Sequence, residues 1–236
     1  MAKPGDMHDI KLHWEREARN YEGFITKIVP FFDEMIDALV ATIPFSSTDT
    51  IRVLDLGSGT GKVAEAVKKR FPNSLVTCID IAASMMDMAK NRLANYKDIQ
   101  FITDDFCTYN FSEKYDVALS NLAMHHVFSN FDKKQLFHKI FRALNLGGVF
   151  TNADAVLGSN ETIQNMYIRR WVGFMRQNYT QEQIEKEWLR RYYEKDHPFK
   201  LMEELEWMRQ AGFTDVDVVM KYYNVAVYTG QKETNS

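Results

Sequence analysis

The stretch Val53-Leu-Asp-Leu-Gly-Ser-Gly-Thr-Gly61 decides how the rest of the 236 residues is read. An aliphatic run over residues 51–56 predicts a strand. It ends in a glycine-rich turn, and a helical pattern opens at Lys62 with Val63, Ala66 and Val67 inward. In a doubly wound sheet such a loop lies beyond the carboxyl end of its strand, where ligands bind. Its glycines let backbone approach a ligand, and the helix N-terminus adds N–H donors and a positive dipole end. The dinucleotide fingerprint is G-x-G-x-x-G, whereas Gly57, Gly59 and Gly61 follow G-x-G-x-G behind the acid Asp55. That acid would repel a pyrophosphate but favour the ammonium of an amino-acid group. Asp80, about 25 residues further on, closes the second strand where an acid accepts hydrogen bonds from ribose hydroxyls.

Downstream, strands are predicted at 75–79, 99–102, 115–120 and 149–155. Helices are predicted at 84–95, with Ser84 as its cap, and at 132–144, stopped by a left-handed glycine in Asn145-Leu-Gly-Gly148. This alternation implies a parallel sheet covered on both faces. Upstream, Ile25, Ile28, Val29, Phe32, Met35, Ile36 and Leu39 form one apolar stripe, which predicts helix over 6–43. After 155 come helical stretches at 160–178, 181–195 and 199–210, the turn Ala211-Gly-Phe213, and strands at 215–220 and 223–228. The short gap between those strands predicts an antiparallel hairpin. The expected architecture is α/β: a doubly wound, mostly parallel sheet with an antiparallel last strand. We read 1–236 as one domain with an N-terminal helical cap at 6–48 and a helical lid insertion at 156–198.

The other strand ends add candidates. Asp105 and Phe106 could bond an exocyclic adenine amine and cover its ring. Asn121 offers donor and acceptor where a transferred group would lie. His125 and His126 titrate near neutrality and are the candidates for contact with an acceptor or for general base; Asp154 is a wall candidate. In the insertion, Trp171, Trp188 and Tyr192 are core or roof, and Arg169, Arg170, Arg190 and Arg191 could recognise an acidic substrate.

The formal charge of -3 gives no reason to expect a polyanionic partner, so no nucleic acid is expected. Cys78 and Cys107 form no framework, and no His/Cys/Asp/Glu spacing suggests a metal. The polar start lacks a signal-peptide core, and no run approaches the ~18 apolar residues of a membrane span. A cytoplasmic protein is the expectation.

On Val53–Gly61, Asp80-Ile81, Asp105-Phe106, the Asn121 segment and Leu144-Asn-Leu-Gly-Gly148, the sequence resembles the class I S-adenosylmethionine-dependent methyltransferases from about residue 12 to 230. The resemblance implies a seven-stranded sheet, S-adenosyl-L-methionine as cofactor, and in-line methyl transfer to a small-molecule acceptor. Implied cofactor contacts are Asp55, Gly57, Ser58, Gly59, Gly61, Asp80, Ile81, Met85, Asp105, Phe106 and Asn121. Lys27-Ile-Val-Pro-Phe-Phe32 and Ala211-Gly-Phe213 look like the carboxy-S-adenosylmethionine synthase branch, which adds Phe32 as a cofactor-contacting aromatic. In that branch an arginine holds the extra carboxylate; Trp207 stands there, so a plain methyl group is the expected cargo. The alternatives are a related tRNA-modification enzyme and a cofactor-binding protein without catalysis. The helical insertion is a lid or the interface of a homodimer.

Overall fold

The computed structural model describes residues 7–234. The polar start at 1–6, with the first residue of the predicted helix and cap, and the ends of the 1–236 span lie outside the described residues.

The apolar stripe is one in sequence but spans two helices, α1 (Met7–Ile28) and α2 (Phe32–Ala41). Pro30 disfavours helix at the preceding residue, and Phe31 turns the chain with φ 58. Ile25, Ile28, Phe32, Met35, Ile36 and Leu39 are nevertheless all buried, because both helices face the same side of the sheet. Five strands alternate with three helices: β1 (Arg52–Leu56), α3 (Lys62–Arg70), β2 (Leu75–Asp80), α4 (Ala83–Arg92), β3 (Ile99–Thr103), β4 (Tyr115–Asn121), α5 (Asn130–Ala143) and β5 (Leu144–Ala155). Next come α6 (Glu161–Met175), then α7 (Gln181–Gln183), which runs through a π turn (Ile184–Leu189) into α8 (Arg190–Lys195). After α9 (Leu201–Ala211), β6 (Thr214–Tyr222) and β7 (Val225–Gln231) close the chain.

The sheet order is β3-β2-β1-β4-β5-β7-β6, with β7 antiparallel to both neighbours and the other adjacent pairs parallel. Alternate strand residues supply separate cores, as a pleat with both faces covered requires. Val53, Val117, Val225 and Val227 join the core under α1, α2 and α3; Leu54, Ala118, Ala226 and Tyr228 join the one under α5 and α9.

Three local expectations are corrected. Ser84 does not cap α4: the helix begins after Ala82 with no side-chain cap, and Glu15 of α1 accepts from the amides of Ala83 (2.7 Å) and Ser84 (3.0 Å). Glycine does not stop α5. Leu144 is already extended, β5 starts there, and the positive φ of Gly147 (77°) bends the strand instead. The hairpin is antiparallel as expected, but its turn is Tyr223-Asn224, shifted two residues on, with Tyr223 at φ 47.

Among the described residues no helix is long and apolar enough to cross a membrane. The second core carries an ion pair: Lys133 of α5 lies 3.4 Å from Glu204 of α9, and Lys133 also donates to the Met124 carbonyl (2.7 Å). Both side chains are sealed from solvent. Lys133→Met strands the carboxylate and should cost about 3–5 kcal/mol in urea unfolding. Lys133→Met with Glu204→Leu should recover more than half of that loss.

Candidate functional site

The glycine loop is held by its neighbours. The amides of Gly57 and Ser58 donate to the Ile79 carbonyl at 2.8 and 3.1 Å, and Gly61 donates to Ser58 at 2.9 Å. Gly57 has φ 67, and a Cβ there would fall 2.2 Å from that of Ala123, so only glycine lets the β1 and β4 loops meet. The Asp80 carboxylate accepts from Gly59 N (2.8 Å) and Ala82 N (2.9 Å), tying the loop to the start of α4. Asp80 therefore shapes the loop from beneath while remaining on the wall of the cavity.

That cavity, open on one side, spans about 610 Å³ and is lined by Gly57, Gly59, Asp80, Ile81, Met85, Asp105, Phe106, Asn121 and His126 from the predicted set. Four predicted cofactor contacts lie outside its lining. Gly61 ends the loop and packs α3 against Ala89 and Leu93 of α4. The Ser58 hydroxyl donates to Met86 Sδ (3.6 Å). Asp55 is buried beneath the loop, with neither oxygen in a full hydrogen bond and the Ala64 amide facing it. Phe32 is a core residue of α2 with Lys62 Nζ 5.0 Å from its ring centre.

The aromatic wall comes instead from α1, as Trp14 and Tyr21 with Ile10. These residues stand on one helical stripe, at spacings of four and seven. That was the available signal; the sequence reading began the stripe only at Ile25.

A second cavity of about 670 Å³ shares Trp14, Tyr21 and Leu122 with the first. Phe24, Ile28, Trp171 and Trp188 make it apolar, while His125, Arg191, Asp196 and Asn224 add polar groups. Leu122 has φ 53, a left-handed conformation rare for its type, and sits where the two cavities meet. The predicted histidines divide between the cavities: His126 faces the first and His125 the second, with ring centres 4.1 Å apart. Arg169, Arg170 and Arg190 face solvent. Trp207 packs on Phe199 in the core under α9 and lines neither cavity.

His125 Nδ1 lies 2.5 Å from Asp154 Oδ1, and its Nε2 lies 3.8 Å from Asp196 Oδ1. Burial opposes a charge on His125, but Asp154 and Asp196 outweigh it and hold the imidazole above its ordinary pKa. Burial would raise Asp154, yet His125 beside it holds the carboxyl below its usual range. Burial, aided by His125 and Arg191, pushes His126 well down, so it is neutral. Burial also raises Asp55 to about 7, helped by Asp80, and Asp80 to about 6 against the backbone amides it accepts.

His125, His126 and Asp196 bring three donor atoms within 4.8 Å of one another. Sequence spacing could not show this set, because Asp196 lies far along the chain. A cation there would face the nearby Arg191 guanidinium, whose charge acts on both His126 and Asp196. The grouping is better suited to holding and moving protons.

Residues 53–148 match the methyltransferase domain family. The carboxy-S-adenosyl-L-methionine synthase of Nautilia profundicola is 23% identical over 92% of this chain and 93% of its own. The malonyl-[acyl-carrier protein] O-methyltransferase of Bacillus anthracis is 35% identical over 49% of this chain and 42% of its own. Among solved structures, the N-methyltransferase NodS of Bradyrhizobium japonicum WM9, in complex with S-adenosyl-L-homocysteine, superposes with a TM-score of 0.67. It is 15% identical and covers 94% of this chain and 97% of its own.

Two outcomes follow for S-adenosyl-L-homocysteine, titrated calorimetrically. Asp80→Ala should weaken it more than about tenfold, roughly 1.4 kcal/mol. Cofactor hydroxyls and ammonium favour ionised carboxylates, so affinity should rise with pH as Asp80 (about 6) and Asp55 (about 7) lose protons, then level off. Buffers of different ionisation enthalpy should report proton release on binding below that plateau. Domain match, sheet order and the cavity over the glycine loop agree: residues 53–148 match a methyltransferase domain, on a fold shared with a solved S-adenosyl-L-homocysteine-bound methyltransferase.

Proposed function

We propose that this enzyme methylates a small molecule held in the second cavity, with the donor methyl directed from the first cavity past Leu122. The carrying observation is the pair of cavities meeting beside a buried His125–Asp154 dyad. On this reading Gly57, Gly59, Asp80, Ile81, Met85, Asp105, Phe106 and Asn121 contact the cofactor. Asp55, Ser58 and Gly61 support it from below.

S-adenosylmethionine supplies an activated methyl group, so the protein's main task is alignment. The acceptor's electron pair forms the new bond to the methyl carbon as the sulfur–carbon bond breaks, and sulfur keeps the pair of the broken bond. Asp154 holds His125 by Nδ1, which leaves Nε2 to take the acceptor's proton. Helices α1 and α6 through α8 exclude water as a cap and lid, over 6–48 and 156–198. Trp171 Nε1 donates to the Ile28 carbonyl (2.5 Å) and latches lid to cap. The largely apolar second cavity is of a size that suits a small molecule better than a macromolecule. Reducing cytoplasm is the compartment we propose, where Cys78 and Cys107 remain thiols.

The acceptor class is tested with methyl-labelled cofactor and a cell extract split into metabolite, RNA and protein fractions. Label should enter the metabolites; label confined to RNA or protein overturns the reading. With the acceptor so found, His125→Ala should lower kcat/KM by about a hundredfold or more, with S-adenosyl-L-homocysteine affinity within about twofold. A base must be neutral to act, so activity should rise with pH through a midpoint above the ordinary 6.5 of histidine. Asp154→Asn removes the charge that raises His125 and should move that midpoint down while lowering the plateau. A profile flat in both enzymes would exclude His125 as the base.

A further inference from the structure

Five arginines lie on the helical segment between Asn160 and Asp196, and one is unlike the others. Arg190 pairs with Glu194 in solvent, and Arg170 lies over the exposed face of the Tyr223 ring. Arg191 turns inward, with its guanidinium carbon 4.5 Å from the centre of Trp14 and its side chain on the wall of the second cavity. It follows directly on the wide turn Ile184–Leu189, a backbone irregularity frequent at functional sites.

The guanidinium forms no hydrogen bond and no ion pair among the described residues. Asp196 is near enough to act on it electrostatically, but not within ion-pair distance. Five N–H donors in a fixed fork, largely withdrawn from water and stacked on an indole, are prepared for a planar anion taken bidentately. The half-buried guanidinium thus keeps its fork of donors available for a partner that the chain does not provide.

Other polar atoms in the same cavity lack partners too. Trp188 Nε1 is a buried donor without an acceptor, and Asn224 Oδ1 and Asp196 Oδ1 are buried acceptors without donors. The remaining walls are Phe24, Ile28 and Trp171, which suit a flat apolar body. Arginine and indole N–H call for an acidic group, while Asn224 and Asp196 call for a hydroxyl or amine.

We propose that Arg191 anchors a carboxylate of the methyl acceptor, so that the substrates are small carboxylic acids with a flat apolar body. This rests on reading the second cavity as the acceptor site. Trp14 lies between the guanidinium and the cofactor cavity, so the same stacking that orients Arg191 keeps the acid on the acceptor side. Arg191 then positions the acceptor against His125 rather than taking part in the transfer.

The test uses the full chain saturated with S-adenosyl-L-homocysteine. Calorimetry and tryptophan fluorescence follow the binding of 4-hydroxybenzoate, 4-hydroxyphenylacetate, indole-3-acetate and their neutral amides. At least one acid should bind, its amide more than tenfold more weakly, and Arg191→Gln should lose that acid by more than tenfold. Arg191→Lys keeps the charge without the fork and should fall between. Arg190→Gln should match the parent, and unchanged cofactor affinity shows that the variants are folded. Equal binding of acids and amides, no binding by any acid, or an Arg191→Gln variant that binds the acid normally would each overturn the proposal. So would preferential binding of carboxy-S-adenosylmethionine that depends on Arg191, because the anion would then belong to the cofactor. A cofactor-saturated protein that ignores every acid refutes this inference alone; label entering RNA or protein in the fractionation above refutes the reading beneath it.

Discussion

The hydrogen bond between His125 and Asp154 is the interaction around which the rest of the site is organised. Asp154 stands at the end of β5 with Asn152 two residues earlier on the same side, the two amide and carboxylate groups 3.5 Å apart. Asn152 pairs across the sheet with Tyr228 of β7 and donates to its hydroxyl at 2.6 Å. Tyr228 donates to Glu204 of α9, and Glu204 meets Lys133 of α5. Lys133 then donates to the carbonyl of Met124, the residue before His125. The line of polar groups thus closes into a ring that begins and ends at the histidine turn. The antiparallel β7 has a direct part in this ring, because it brings Tyr228 opposite Asn152.

Such a ring is poorly explained as a source of stability. Buried ionic and polar groups roughly offset their desolvation, and apolar replacements of equal volume often do as well. What the ring supplies is position. A histidine in a short turn between β4 and α5 has little of its own to fix its ring, yet here the carbonyl before it and its Nδ1 are both held by groups rooted in the core. An imidazole so held needs little reorganisation to gain or lose a proton.

How much of this was legible in the sequence depended on distance along the chain. Gly57, Gly59, Asp80 and Asp105 could be placed because a strand end followed by a loop puts them on one edge of the sheet, whatever the rest does. The hairpin was legible in kind but not in register, since the left-handed Tyr223 is an unusual turn residue. Phe32 shows the limit of a local pattern: the turn at Pro30 and Phe31 sets α2 with Phe32 in the core, which the residues around it do not reveal. Trp14 and Tyr21 required knowing that α1 lies across the cavity mouth. Arg191 could be told from Arg190 only by the helix's orientation, and the ring through Lys133, Glu204 and Tyr228 joins four elements with no shared motif.

Two costs are built into the protein near the glycine loop and the meeting of the cavities. Asp55 is a fully buried carboxyl with a pKa of about 7, so it is partly protonated near neutrality. Leu122 holds a left-handed backbone that leucine resists. A cationic amino-acid group near Asp55 would draw off that proton and restore the charge, converting a folding penalty into cofactor affinity. The strain at Leu122 has a different use. The Leu122 amide donates to the Ala153 carbonyl at 2.8 Å, so β5 fixes the turn where the two cavities meet, with His126 lining one and His125 the other.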